Sequence, residues 1–363
     1  MIARAERRAA VAKVLNVFTF MPPRRRTEIL IRYFSAAISA LLLTVCVASA
    51  PSLAADQNMF GGKTITYIVS TSPGGIYDAQ SRLLARYLQE QLPGSRIIVR
   101  NVPGAGHIVG ANTIYAARPD GLTIGTFNTG LIYAQLLERP GIRFDLEEMS
   151  YIAKATSDTR ALLVSKLSGL NSIEDIMGSP TPVLYAASGV GSAAYIETRI
   201  LQDALNLPLQ IVPGFEGTEG ELSMLRGEVA AQVGTATSLQ PFVDNGGGHF
   251  VLVLSDTDAY VGIPRADEYA RDEHGRQLLS LVSTLSQIGR LTAGPPGIPA
   301  DILQVLRQAV MAAMADPGYL ADAMLLDLPS DPASGDRVEA MVREALSQSP
   351  EMIAYLKSAA GAQ

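Results

Sequence analysis

The chain has 363 residues, a formal net charge of −6 and one cysteine, Cys46. Residues 1–55 hold eight of its 29 basic and two of its 35 acidic residues, which leaves 21 basic and 33 acidic residues, a net charge of −12, in the remainder. This acidic remainder argues against a nucleic-acid partner, which requires a basic face. Because it contains no cysteine, it can form neither a disulfide nor a thiolate metal site.

Residues 1–55 are predicted to form a secretory signal peptide. A basic run at Arg24–Arg26 precedes the uncharged segment Phe34–Ala50, and small residues follow through Ala54 and Ala55. This order of a basic region, an apolar region and a small-residue cleavage site is typical of export signals. Cleavage at these alanines leaves a chain that begins around Asp56 and is located in the periplasm.

Alternatives to this interpretation of the N-terminal segment stay open. The uncharged run has about 17 residues, near the minimum for a membrane span, so an uncleaved anchor is one alternative. Translation from Met21 is another, because it would remove the unusual first residues. The arginine run also fits a twin-arginine signal, although Glu28 disfavours it, and Val45 before Cys46 disfavours a lipoprotein. The rest of the chain has no second apolar run of this length and is predicted to be soluble.

The segment 63–127 is predicted to be a first α/β unit. Strand-like runs occupy Thr64–Val69, Arg96–Val99 and Thr123–Phe127, and apolar residues recur at helical spacing over Leu83–Leu92 and Ile108–Ala117. Strand, helix, strand, helix, strand implies a parallel sheet with right-handed crossovers.

A second α/β unit is predicted in the middle of the chain. Helical patterns cover Ala193–Leu205 and Glu219–Arg226. The strand-like runs between and around them are Val183–Ala186, Gln210–Val212, Ala230–Val233 and Phe250–Leu254.

The chain is predicted to be purely helical after the glycine- and proline-rich segment Ala293–Pro299. An apolar stripe runs from Ile302 to Met314, and two more helical stretches follow to about Leu356. Helices without strands of their own must pack on an existing sheet. We therefore expect residues 56–158 to form domain 1, residues 159–285 to form domain 2, and residues 286–363 to return to domain 1.

A glycine-rich loop follows the first predicted strand, where open parallel sheets place their ligand sites. Glycine lets a ligand approach the backbone, and the start of the next helix offers free N–H groups to an anion. Asp78 is expected to cap that helix or to accept from amides of its own loop. A tight turn without a ligand is the alternative. The predicted ligand-binding residues of this loop are Ser70, Thr71, Ser72, Gly74, Gly75, Tyr77 and Asp78.

The loop Asn101–His107, with Gly110 beyond it, supplies Gly104 and Ala105 as predicted ligand-binding residues, and Asn128 after the third strand is a further one. The glycine spacing is G-x-G-x-x-x-G, and no acidic residue follows a second strand, so it does not fit a dinucleotide-binding motif. Gly61–Thr64 does not fit a P-loop, because Gln57 stands where the first glycine belongs.

Two loops of the second unit, Ala187–Ser192 and Pro213–Thr218, also lie between a strand and a helix. A capped helix start is the alternative interpretation, since serine and glycine are typical of N-caps. The predicted ligand-binding residues here are Ser188, Gly191, Ser192, Phe215, Glu216 and Thr218.

Catalytic and metal-binding patterns are not found. His107, His249 and His274 have no metal-ligand spacing, and the chain contains neither a G-x-S-x-G elbow nor an H-E-x-x-H motif. The sequence therefore predicts no metal, no cofactor and no enzymatic activity.

These loops together resemble those of the substrate-binding proteins of tripartite tricarboxylate transporters, also called the Bug family. The similarity covers essentially the whole chain after residue 55. The motifs that carry it are, in order, Gly74-Gly75 with Asp78; Asn101 and Pro103–Gly106 with Gly110; Pro119–Gly121; Gly189–Ser192; Val212-Pro213 with Gly217; and Gly294–Pro299.

The resemblance implies an α/β, two-domain periplasmic-binding-protein fold of type II, the Venus flytrap, with the ligand cleft between the domains. It implies a monomeric receptor that closes on a small organic acid or amino-acid-like ligand and delivers it to the membrane subunits of the transporter. Ligand carboxylates in such proteins are held by backbone amides, hydroxyls and ordered water. A sensory protein for a signalling partner and an exported enzyme using the same cleft are the alternatives.

Two positions depart from the family pattern. Thr71 replaces an aromatic residue common in the first loop, and Glu216 replaces a lysine usual in the second unit. Loss of a cation and gain of an acid disfavour a polyanionic ligand if that side chain faces the cleft. The sequence therefore favours a monocarboxylate, an amino acid or an aromatic acid over a tricarboxylate.

Overall fold

The computed structural model describes residues 57–215, 217–255, 257 and 260–361. The predicted signal peptide and the side chain of Glu216 lie outside these residues. Residues from Ala55 onward belong to one compact unit. Among the described residues, no helix combines the length and the apolar character that crossing a membrane requires.

Eleven strands and twelve helices form the part of the chain that the structure describes. The strands are β1 (Thr64–Val69), β2 (Arg96–Asn101), β3 (Thr123–Thr126), β4 (Ser150–Lys154), β5 (Arg160–Ser165), β6 (Val183–Ala187), β7 (Leu209–Pro213), β8 (Ala231–Thr235), β9 (Gly248–Val253), β10 (Leu291–Gly294) and β11 (Ala333–Ser334). The helices are α1 (Ile76–Gln91), α2 (Ile108–Tyr115), α3 (Gly130–Leu136), α4 (Ile173–Met177), α5 (Ala193–Leu205), α6 (Glu219–Leu225), α7 (Ala236–Asp244), α8 (Glu273–Ile288), α9 (Ala300–Ala315), α10 (Pro317–Leu325), α11 (Gly335–Leu346) and α12 (Pro350–Ala359).

The strands form two mixed sheets. Sheet A has the order β11-β4-β10-β3-β1-β2, and sheet B has the order β7-β6-β8-β5-β9. In sheet A, β1 pairs in parallel with β2 and β3, whereas β10 is antiparallel to both β3 and β4. In sheet B, β6 is parallel to β7 and β8, and β5 is antiparallel to β8 and β9.

Apolar faces of the helices cover both sheets. One cluster packs sheet A against α1, α9 and α10, and another packs sheet B against α6 and α7. The largest cluster lies on the opposite faces and runs without a break from α2, α3 and α11 to α5 and α8. On that side, the two sheets therefore share one apolar core.

Several predicted elements differ from the observed ones. Strands β4, β5, β10 and β11 were not predicted. The predicted parallel pairing of the first three strands is confirmed, because β1 is parallel to both β2 and β3, whereas β10 adds antiparallel pairs to the same sheet. The prediction of a purely helical C-terminal segment is wrong, because Ala333 and Ser334 pair with Lys154 and Ala153 of β4. A two-residue strand is too short to show a period of two.

The C-terminal helices contact both sheets. Helices α9 and α11 pack against β4 of sheet A, whereas α12 packs on α5, which covers sheet B. The Tyr355 hydroxyl on α12 donates to Asp203 on α5 at 2.8 Å. Helix α12 therefore does not return to the first sheet alone, and the predicted domain boundaries stay a prediction.

Two short chain segments join the sheets, residues 155–159 after β4 and residues 289–290 before β10; we call them the crossing segments. They pair with each other, since Ala155 N donates to Arg290 O at 2.9 Å and Arg290 N donates to Thr156 O at 2.8 Å. Gly289 has a φ of +55°, and a Cβ at this position would lie 2.0 Å from Thr156 O. Only glycine can therefore occupy position 289 while the two crossing segments stay paired.

Candidate functional site

The carboxyl ends of β1, β2 and β3 lie at one edge of sheet A, and those of β6, β7 and β8 lie at one edge of sheet B. The four predicted loops leave the sheets at these two edges. We call each sheet with its covering helices a lobe. The two lobes touch there, because a Cβ on Gly130 at the start of α3 would lie 3.2 Å from the Cβ of Ala193 at the start of α5. This is where open α/β sheets place their ligand sites.

The first loop is held by a buried hydroxyl. Ser70 is 2% exposed, and its Oγ donates to Thr126 O at 2.9 Å. Helix α2 packs directly on it, because a Cβ on Gly110 would lie 2.3 Å from Ser70 Oγ. The Thr71 hydroxyl next to it is buried and has no hydrogen-bond partner among the described residues. The Ser70 hydroxyl thus stabilises the fold, whereas the Thr71 hydroxyl is available to hydrogen-bond a ligand.

Asp78 is engaged by its own loop and by the neighbouring strand. Its carboxylate accepts from Gly74 N at 2.9 Å, from Asn101 Nδ2 at 3.0 Å and from Arg82 Nε at 3.0 Å. Burial opposes ionisation, but these hydrogen bonds hold the pKa of Asp78 below its ordinary value. Asp78 therefore organises the loop and has little capacity left for a ligand.

Tyr77 and Asn128, both predicted site residues, meet beside the crossing segments. The Tyr77 hydroxyl donates to Asp158 Oδ2 at 2.6 Å and accepts from Asn128 Nδ2 at 3.3 Å. Burial, followed by the charge of Asp158, raises the pKa of Tyr77 well above its ordinary value, so the hydroxyl stays protonated. Arg290 Nη2 lies 2.9 Å from Asp158 Oδ1, and its guanidinium carbon lies 5.5 Å from the centre of the Tyr77 ring.

Arg290 connects the helices of the two sheets. Its Nη1 donates to Gln80 Oε1 on α1 at 3.2 Å, and its Nη2 donates to Thr237 Oγ1 on α7 at 3.0 Å. The side chain is 2% exposed, like that of Asp158 at 5%. A buried charge pair of this kind is stable only while both members are present.

A second buried ion pair joins Arg160, the first residue of β5, to Glu197 on α5. Arg160 Nε donates to Glu197 Oε2 at 2.7 Å, Nη2 donates to the same oxygen, and Nη1 donates to Thr235 Oγ1 at 2.8 Å. Burial raises the pKa of Glu197, and the Arg160 guanidinium opposes that rise. Because a guanidinium has five N–H bonds, two of them remain for another acceptor.

Arg160 lines two cavities at the edges of the sheets. One has a volume of about 30 Å³ and is also lined by Asn128, Asp158 and Glu197. The other has a volume of about 190 Å³ and is also lined by the predicted residues Ser188 and Phe215. Arg160 is therefore a cation that lines both of these cavities.

Three other predicted site residues of the second unit, Gly191, Ser192 and Thr218, line neither cavity. Ser192 Oγ accepts from Tyr195 N at 3.2 Å and caps α5, as the alternative interpretation of this loop has it. Gly191 O accepts from Arg139 Nη1 at 3.2 Å. Thr218 precedes α6 without a side-chain capping bond.

The remaining predicted residues of the first unit lie outside both cavities. Ser72, Gly74 and Gly75 are exposed in the first loop, and Gly104 and Ala105 are exposed in the second. Their part in ligand binding stays a prediction.

The second loop contains a buried imidazole. Gly104, Ala105, Gly106 and His107 all have positive φ, with +79° at His107. The His107 Nδ1 atom is buried without a partner among the described residues, and burial lowers the pKa of His107 below its ordinary value of 6.5. The folded loop thus favours the neutral imidazole.

Acidification is therefore expected to destabilise the protein through His107. Because its pKa is lowered by folding, the contribution to stability is present above pH 6.5 and is lost as the pH falls through the folded-state pKa. The slope is at most about 1.4 kcal/mol per pH unit. Thermal melts of the wild type and of His107→Asn, which tolerates positive φ, should diverge below that pH; parallel melting curves would contradict this assignment.

The charged residues of the site were not predicted from the sequence. They are Asp158, Arg160, Glu197 and Arg290, with Thr235 as a neutral partner. Asp158 and Arg160 flank the start of an apolar run, Ala161–Val164, and charges that border a buried strand are the signal that could have found them. Among the described residues, no group of histidine, cysteine, aspartate and glutamate side chains is arranged to bind a metal ion.

Comparison with known proteins agrees with this architecture. A 25% identical protein of the UPF0065 group from Agrobacterium vitis aligns over 311 residues, 82% of this chain and 84% of the relative. A ligand-free TctC solute binding protein from Polaromonas superimposes with a TM-score of 0.65 at 20% identity, over 87% of this chain and all of the other. MatC from Rhodopseudomonas palustris with bound malate superimposes with a TM-score of 0.62 at 22% identity, over 81% of this chain and 99% of the other.

The structural likeness confirms the predicted two-domain α/β periplasmic-binding-protein fold. The family model described as "Tripartite tricarboxylate transporter family receptor" matches residues 81–356. This range spans most of the chain, including sheet B, every strand of sheet A except β1, and the crossing segments. The chain belongs to the tripartite tricarboxylate transporter receptor family, whose members are periplasmic solute-binding receptors.

Proposed function

We propose that this receptor captures one small carboxylate-bearing ligand between sheets A and B, without converting it, and delivers it to the membrane subunits of a tripartite tricarboxylate transporter. The protein acts in the periplasm as a monomer, after export by its N-terminal segment. The observation that carries the proposal is the position of Arg160, which lines both cavities and keeps two N–H donors unused.

The surroundings of Arg160 suit a carboxylate. Ala193 at the start of α5 and Thr235 immediately before α7 line the same small cavity. Helix N-termini carry free N–H groups and a partial positive charge, which favour an anion. Planar guanidinium and carboxylate groups also match each other in a bidentate geometry. The relative from Rhodopseudomonas palustris, whose structure contains malate, supports a carboxylate in the same fold.

The charge balance favours a ligand of low net charge. Arg160 and Arg290 are each paired with a carboxylate, Glu197 and Asp158 respectively. The net charge of these four side chains is therefore zero. A tricarboxylate would add three negative charges to a buried region without counterions. A monocarboxylate or a zwitterionic amino acid avoids this cost, since an ammonium group can approach Glu197 or Asp158. The same preference for a ligand of low net charge was predicted from Glu216, an acid where a lysine is usual.

The proposal is tested by calorimetric titration against citrate, malate, glutamate and benzoate. The expected order places a ligand of low net charge first and citrate last, and the recovered ligand should be chemically unchanged. Formation of a product would contradict the proposed receptor function and indicate an enzyme. Light scattering of the ligand-bound protein should give the mass of a monomer.

Arg160→Lys is expected to weaken ligand binding about thirtyfold while the protein stays folded. Lysine keeps the charge next to Glu197 but loses the planar, bidentate geometry, and a charge-assisted hydrogen bond contributes about 2 kcal/mol. The measurement is titration with the best ligand of the panel, with a thermal melt as a test of folding. Arg139→Lys is the matched control, because Arg139 contacts Gly191 O in the neighbouring loop but lines neither cavity. Equal losses in both variants would refute the role of Arg160.

A further inference from the structure

A third cavity, of about 700 Å³, lies beside the crossing segments. Its lining includes Ser157 of a crossing segment, Ser255 after β9 and Ala333 of β11. Strands β9 and β11 are edge strands on the far side of β5 and β4 from the strands that carry the predicted loops. We call this space the rear cavity. It shares Ser286 with the smaller of the two cavities that Arg160 lines, but Arg160 itself does not line it.

One of the two cations of the rear cavity is already neutralised. Lys154 Nζ donates to Asp331 Oδ2 at 2.8 Å, to Ser157 Oγ at 2.9 Å and to Gln287 O at 3.0 Å. These three bonds use all of its N–H donors. The lysine side chain is 7% exposed, so it is fixed in the wall.

The other cation, Arg337 on α11, is unpaired within the part of the chain that the structure describes. Its helical neighbours Asp336 and Glu339 pair with Arg307 instead. Arg337 forms no hydrogen bond or ion pair with any residue that the structure describes, and it is exposed to the cavity. With Lys154 and Asp331 balanced, the described lining residues of the rear cavity carry one uncompensated positive charge.

Hydroxyl groups with free hydrogen-bonding capacity line the same cavity as this charge. Thr159 at the end of a crossing segment, Tyr260 after β9 and Ser330 before β11 all line the cavity, and none has a side-chain hydrogen bond among the described residues. Met341 lies one helical turn after Arg337 and supplies an apolar wall. A single carboxylate on an apolar body fits one guanidinium, several hydroxyls and an apolar wall.

From this arrangement we infer that the rear cavity is a second ligand site, which binds a small monocarboxylate through Arg337 and the Tyr260 hydroxyl. Arg337 belongs to a helix packed on sheet A, whereas Tyr260 follows a strand of sheet B and packs edge to face on Phe250 at 5.7 Å. The bound acid therefore touches both lobes. A di- or tricarboxylate would exceed the one positive charge and bind more weakly.

The test uses benzoate as the probe, followed by calorimetry and by NMR of the ligand. Arg337→Gln is expected to weaken benzoate binding about tenfold or more, and Tyr260→Phe about fivefold, because a charge-assisted hydrogen bond contributes more than a neutral one. Arg343→Gln is the matched control on the same helix, since Arg343 pairs with Glu339 and does not line the cavity. It should bind benzoate as the wild type does.

The outcomes separate this site from the one proposed for transport. Benzoate binding that is lost in Arg160→Lys but kept in Arg337→Gln would overturn the inference and leave the proposed function intact. Absence of benzoate binding at millimolar concentration, or equal losses in Arg337→Gln and Arg343→Gln, would also overturn it. Loss in Arg337→Gln with retention in Arg160→Lys supports the rear cavity whatever the transported ligand is.

Discussion

Gly289→Ala is expected to destabilise the protein by roughly 3 kcal/mol or more, although it adds a single methyl group. The added Cβ would lie 2.0 Å from Thr156 O and 2.7 Å from Ser157 Cα, which are backbone atoms of the other crossing segment. Backbone atoms cannot move aside like a flexible side chain, so the two segments must separate. Steric overpacking costs about 1–3 kcal/mol, and the strained conformation adds about 1–3 kcal/mol.

The measurement is urea unfolding followed by circular dichroism. Gly297→Ala is the matched control, because Gly297 has a similarly positive φ of +76° but no atom within 4 Å of the added Cβ. That control should lose only the cost of the backbone conformation, about 1 kcal/mol. Similar losses in the two variants would mean that the contact between the crossing segments is unimportant.

Arg160→Met is expected to destabilise the protein by about 3–5 kcal/mol, because it leaves Glu197 buried without its cation. Glu197 is 4% exposed and lies on α5 inside the shared core. In the variant, the pKa of Glu197 should rise further, since desolvation and the charge of Asp158 both raise it and the Arg160 guanidinium no longer opposes them. A folded-state pKa above the unfolded one means that stability is regained as the pH falls and lost as it rises.

The double variant Arg160→Met/Glu197→Met separates the cost of an orphaned charge from the value of the pair. Replacement of both members by apolar side chains of similar size is often neutral, so the double variant should be markedly more stable than the single one. The measurement is urea unfolding at neutral and acidic pH. A double variant as unstable as Arg160→Met would show that packing of the Arg160 stem, rather than its charge, stabilises this region.

The loops could be located from the sequence because their signal is local. Glycine next to a strand end marks a close turn wherever it occurs, and Ser192 follows the N-cap preference that its hydrogen bond to Tyr195 N satisfies. Helix α5 is found with its observed bounds, since thirteen residues show the helical period clearly.

The charged site could not be located in the same way. Arg160 and Glu197 are 37 residues apart, and Tyr77 and Asp158 are 81 residues apart, so each pair exists only after the sheets have formed. The missed strands β4 and β10 are the reason, because one crossing segment follows β4 and the other leads into β10. Their five and four residues are fully buried and show no alternation that could distinguish a strand from a short helix.

The shared apolar core has a mechanical consequence. Since it runs from α2, α3 and α11 to α5 and α8, we expect any separation of the lobes to occur on the opposite faces of the sheets, between α1 and α7. Arg290 spans that gap through Gln80 and Thr237. We expect Arg290 to act as a latch, because a separation of α1 from α7 would have to break its hydrogen bond to Gln80 or to Thr237. The energy of one hydrogen bond, about 1 kcal/mol, is small enough for the binding of a single acid to decide whether the latch is shut.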